Sequence, residues 1–112
     1  MKYIIPENKL DNIIFKYLDL NLKRLEIRKP EYYEGVIFAY PNQEYGILGW
    51  DNDGDLYIYD EIIDGICSGF GLNRSDSKLV IGRWVSDRYK LEVINTNTTF
   101  TQSTRLLAID TN

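Results

Sequence analysis

The chain has 112 residues, a formal net charge of -4, one cysteine and no histidine. That length holds one domain with a core of its own, with no need of disulfides or a metal. The composition removes the commonest general base, the commonest transition-metal ligand and any internal disulfide, and no apolar run nears the ~20 residues of a membrane helix.

In the start, MKYIIPENKL, Lys2 is followed by only three apolar residues before Pro6, which is no secretory signal. The expected setting is therefore the cytoplasm, where a lone Cys67 stays reduced. Through Leu22 the spacing predicts a helix, with Leu10, Ile13, Ile14, Tyr17 and Leu18 on one apolar stripe. Pro6 suits its first turn, and Glu7 and Asp11 suit the positive end of its dipole. Lys23 to Arg28 alternates like a half-buried strand, with Leu25 and Ile27 facing one way. Gly35 to Tyr40 is a second strand, and Pro41-Asn42-Gln43 a turn. Tyr45 to Trp50 and Leu56 to Tyr59 are a third and a fourth, joined by Asp51-Asn52-Asp53-Gly54. A four-residue loop would pair Trp50 with Asp55, Leu48 with Tyr57 and Ile47 with Ile58. Ile47, Leu56 and Ile58 would then share the core face, and Leu48, Trp50, Asp55 and Tyr57 the other.

Asp60 is placed to cap a short helix that buries Ile62, Ile63, Ile66 and Phe70 and stops at Gly71. Ser75 reads as the cap of a third helix with Ile81, Trp84, Val85 and Tyr89 on its apolar side. Asn95 to Thr104 is mostly Asn, Thr, Gln and Ser. The expected fold is α+β: an N-terminal helix, an antiparallel sheet of about four strands and two C-terminal helices. Residues 1–91 would form the domain, and 92–112 a polar tail or an edge strand.

Charge is distributed unevenly. From Glu31 through Phe70 there is no Lys or Arg, and there are nine carboxylates, six of the nine tyrosines and Trp50. A patch of one sign repels itself and attracts basic partners. Aromatic anchors ringed by carboxylates suit contact with a basic protein, and the candidate residues are Trp50, Tyr57, Tyr59, Asp51, Asp53 and Asp55. The same residues also fit a plain structural reading, as strand aromatics packed under a helix and a solvated turn.

The alternation of Asp51, Asp53 and Asp55 resembles a calcium loop, but Leu56 and Ile62 stand where such a loop needs glycine and glutamate. A hairpin turn explains the same residues, so no metal and no cofactor is expected. Carboxylate pairs alone do not make a catalytic site, and no nucleophile motif or phosphate loop accompanies them. The last two helices also admit a helix-turn-helix reading, in which Arg74, Lys78, Arg83 and Arg88 would meet phosphates. Ser77 falls where that motif wants an apolar anchor, and the acidic balance opposes direct nucleic-acid binding.

Two stretches, MKYIIPENKLDNIIFKYLDL and the FGLN to WVSDRYKL segment from Phe70 to Leu91, resemble small proteins encoded by marine bacteriophages. The resemblance implies expression in an infected bacterial cytoplasm, and it brings no activity, cofactor or site residue. The expected function is thus a non-enzymatic phage accessory protein that binds a host or phage macromolecule through its acidic, aromatic sheet face. Nucleic-acid binding through the last two helices, or a minor virion or assembly role, are the alternatives.

Overall fold

The structure is a computed structural model that describes residues 4–29, 31, 34–43 and 46–99. In chain order the elements are α1 (Ile4–Asn21), β1 (Glu26–Arg28), β2 (Gly35–Ala39), β3 (Leu48–Asp51), β4 (Asp55–Tyr59), α2 (Asp60–Phe70), α3 (Arg74–Tyr89) and β5 (Asn95–Thr99). This is the α+β arrangement, with a sheet in the order β1-β2-β3-β4-β5. The first four strands run antiparallel, as short connections require. β5 lies parallel to β4, so Asn95–Thr99 is an edge strand, and the rest of the expected tail, residues 100–112, lies outside the described residues. A parallel neighbour needs a crossover, and α2 with α3 supplies it.

Alternation along the strands sends Val36, Phe38, Leu48, Leu56 and Ile58 to the face that the helices cover. Ile14, Leu18 and Leu22 of the α1 region, Ile63 and Ile66 of α2, and Val80, Ile81, Trp84 and Val85 of α3 complete that core. On the opposite face, Ile37 and Ala39 are also fully buried.

The α1 stripe is rotated from the expected one. Ile13 is 56% exposed, whereas Ile14 and Leu18 are buried and Phe15 is half-buried against the core. Ile13 sat at the border of the apolar arc, and the helix rolls so that Ile14, Leu18 and Leu22, four residues apart, carry the contact. Ile27 is likewise largely exposed, because β1 is a three-residue edge strand that the core reaches only through Leu25.

Two helix starts differ from expectation. Tyr59 occupies the N-cap of α2 and makes no side-chain cap bond, and Asp60 and Glu61 instead place charge in the first turn. Asn73, not Ser75, caps α3, its Oδ1 accepting from the Asp76 amide at 2.7 Å. Asn is as good a cap as Ser, and it comes two positions earlier. α2 ends as expected on Gly71, whose φ is 70°. Ser77 is fully buried and satisfied, its hydroxyl donating to the Asn73 carbonyl at 2.8 Å beside Cys67 Sγ.

α1 and α3 are joined by charged pairs. Asp11 takes a two-pronged bond from Arg83 at 2.8 and 3.0 Å. Asp19 accepts from Trp84 Nε1 and from two nitrogens of Arg88, all at 2.8 Å, and the Arg88 guanidinium also lies over Phe15. The Arg88 bonds, helped by that from Trp84, hold the Asp19 carboxyl below its ordinary value of 3.8 against the opposing effect of desolvation. A lowered carboxylate contributes stability that is whole above the unfolded value and is lost as pH falls through the folded one. Asp19→Asn should therefore lower the Tm at about pH 6, and its deficit should shrink as the pH drops below 3.8. A deficit that does not change with pH in a melting series would contradict this coupling.

Candidate interaction surface

The acidic end is built by the β3–β4 hairpin. Its loop is three residues, Asn52-Asp53-Gly54, with Gly54 at a φ of 93° and its amide donating to the Asp51 carbonyl at 2.9 Å. That is a turn closed by a left-handed glycine, and it sets Asp51 opposite Asp55. Asp51 Oδ1 holds the turn by accepting from the backbone amides of Asp53 at 3.0 Å and Asp55 at 3.1 Å.

The shorter loop changes the register by one residue. Leu48 pairs with Ile58, Gly49 with Tyr57 and Trp50 with Leu56, in place of the expected partners. A one-residue slip moves side chains to the other face. Leu48 therefore joins the core, and Trp50 lies on the helix side between Val36 and Leu56. Its Nε1 donates to the Glu92 carbonyl at 2.9 Å. Trp50 and Tyr57 do not stand side by side.

The far face retains Asp51, Asp55 and Tyr57. Asp55 Oδ1 accepts from Asn95 Nδ2 at 3.0 Å, across the parallel pair. Asp53 is exposed at the tip, and Glu31 and Glu34 are exposed on the β1–β2 connection. The Glu34 carbonyl accepts from the Asn52 amide at 2.9 Å, so both connections gather at one end of the sheet. Tyr57 is half-buried and pairs with Gly49 across the hairpin. Desolvation first, then the charges of Asp51, Asp55 and Asp53, push the Tyr57 phenol above its ordinary value of 10.0.

Tyr59 belongs elsewhere. It closes β4 at the end opposite Asp55, about 13 Å away at ~3.3 Å per residue, and lines a cavity with Tyr17 and Tyr40. These tyrosines come from three separate segments, and nothing local in the sequence joins them. Arg28 is a cation on the far face, and it turns away from the acidic end toward Glu26, the Gln43 carbonyl and the Tyr40 carbonyl.

The arginines of the helical pair are engaged within the chain. Arg74 bonds Asp60 and Asp64, Arg83 bonds Asp11, and Arg88 bonds Asp19 and Asp87. Lys78 is half-buried. α3 itself is buried along Ser77, Val80, Ile81, Gly82, Trp84 and Val85, and a Cβ on Gly82 would stand 2.9 Å from Thr96 of β5. Such a helix is a core element, whereas a groove-reading helix needs a free face. Among the described residues, no group of three or more Cys, Asp or Glu is arranged to hold a metal ion, and no helix is long and apolar enough to cross a membrane. Comparisons with protein-family models, with curated proteins and with solved structures found no match.

Proposed function

We propose that this chain is a non-enzymatic binding protein that docks a basic protein partner on the acidic end of its sheet. The observation that carries the reading is the placement of Asp51, Asp55 and Tyr57 on one face of the hairpin, with Asp53 exposed at its tip and Glu31 and Glu34 on the adjoining connection. Carboxylates there would steer a basic partner, and Tyr57 would give it a ring to pack on. Trp50 supports this surface from beneath. Its indole bond to Glu92 fixes the strand that carries Asp51. The resemblance to phage proteins makes an infected bacterial cell the setting we propose for this partner. The nucleic-acid reading draws no support from α3, whose arginines already meet carboxylates of the chain.

The test is kinetic. Asn at positions 51, 53 and 55 keeps the side-chain carbonyl that Asp51 uses to hold the turn, so the triple variant should fold as wild type does. Against a lysine- and arginine-rich peptide, its association rate should fall about tenfold at low salt, and the difference should fade as salt rises. Tyr57→Ala should act mainly on dissociation. Equal association rates for the triple variant and wild type would refute the reading.

A further inference from the structure

At the other end of the sheet a cavity of about 340 Å³ lies between the end of α1, the start of α2 and the ends of β2, β3 and β4. Among its described lining residues the aromatics are Tyr17, Tyr40 and Tyr59 and the carboxylate is Glu61. Among the described residues that line it there is no Lys or Arg. The volume is at the small end of the ~300–1,000 Å³ usual for ligand pockets.

Two of the rings are held in place. The Tyr40 hydroxyl donates to the Asn21 carbonyl at 2.8 Å. Tyr17 packs edge-on against Phe70 at 5.4 Å, with its hydroxyl 3.1 Å from where a Cβ on Gly65 would stand. Glycine at 65 thus leaves that ring its position. The electrostatics favour positive charge. The negative end of the α1 dipole borders the cavity through Leu18, Asn21 and Leu22, and the last turn of α1 has no basic residue. The positive end of α2 is already met by Asp60 and Glu61.

Several tyrosine rings around one space, with a carboxylate at its rim, suit a cation with apolar substituents. An anion would meet Glu61 and the α1 terminus, and a purely apolar ligand would draw nothing from either charge. We infer that this cavity binds an alkylated ammonium group, held by Tyr17, Tyr40 and Tyr59 and neutralised by Glu61. The site lies at the opposite end of β4 from the acidic hairpin and does not depend on the function proposed for it.

Choline and its uncharged carbon analogue, in which a quaternary carbon replaces the nitrogen, are the probes. Each is titrated into the full chain and followed by tyrosine fluorescence and amide chemical shifts. Choline should saturate in the low-millimolar range and bind at least about tenfold tighter than the analogue. Glu61→Gln, at an exposed helical position, should weaken choline about three- to tenfold while lowering the Tm by only a few degrees, the cost of one charge lost from the first turn of α2. Tyr59→Leu should abolish the preference for choline over the analogue. A trimethyl-lysine peptide, titrated beside its unmodified form, then separates sources: tighter binding than choline marks a protein side chain, and weaker binding a small amine. Equal affinity for choline and the analogue, or no saturation by choline up to about 50 mM with a folded chain, would overturn the assignment.

Discussion

Ile14→Asp should leave no cooperatively folded protein, whereas Ile13→Asp should melt like the wild type. The two residues are neighbours on α1 with similar places in the hydrophobic pattern. Ile14 is fully buried and sits in the shared core of three helices and the sheet, whereas Ile13 is 56% exposed. A carboxylate at position 14 would be buried with no partner, at a cost of several kcal/mol, and the cavity left by the lost isoleucine adds to it. A domain of this size has only ~5–15 kcal/mol to lose. At position 13 the carboxylate faces water, and a change within about 0.5 kcal/mol is expected. Circular dichroism melts of the two variants decide the matter. A folded Ile14→Asp, or an unfolded Ile13→Asp, would mean that α1 presents a different face to the sheet.

Gly35→Ala should lower the Tm by on the order of 10 °C. In a strand, alanine for glycine ordinarily helps, by relieving about 0.5–1 kcal/mol of backbone entropy. Here a Cβ would collide with the Trp50 carbonyl oxygen and stand 2.6 Å from Asp51 Cα. Both are backbone atoms of β3, so no side-chain rotation gives relief. β2 and β3 must part where Gly35 pairs with Asp51, at a cost of about 1–3 kcal/mol or more. The damage falls at the root of the acidic hairpin, so the variant should also disturb the amides of Asp53 and Asp55. A Tm at or above that of the wild type would show that the two strands do not approach so closely.

Much of this fold was legible in the residues, for identifiable reasons. α1 follows from a long apolar period, the β3–β4 hairpin from Asn-Asp-Gly between aromatic strands, and the end of α2 from Gly71. The misses have physical causes. Asp51-Asn52-Asp53-Gly54 fits a hairpin of either three or four loop residues. The choice was made by the Asp51 carboxylate, which bonds the amides of Asp53 and Asp55 and leaves the glycine alone at positive φ. That single residue of register moved Trp50 from the proposed surface to the core side. β5 has no hydrophobic alternation, since an edge strand needs apolar side chains only where α3 covers it. There Gly82 admits Thr96. The ring of Tyr17, Tyr40 and Tyr59 is a product of topology, drawn from α1, the end of β2 and the end of β4. Arg83 and Arg88 looked available in sequence because their partners Asp11 and Asp19 lie 72 and 69 positions away on α1, and Arg74 because its partners Asp60 and Asp64 belong to the preceding helix.

The most direct measurement is an amide chemical-shift map of the chain titrated with a lysine- and arginine-rich peptide at low salt. Saturable shifts should centre on Asp51 through Tyr57 and on Glu34, and they should weaken as salt screens the carboxylates. Shifts centred on the outer side of α3, or none that saturate, would contradict the acidic end of the sheet as the docking surface.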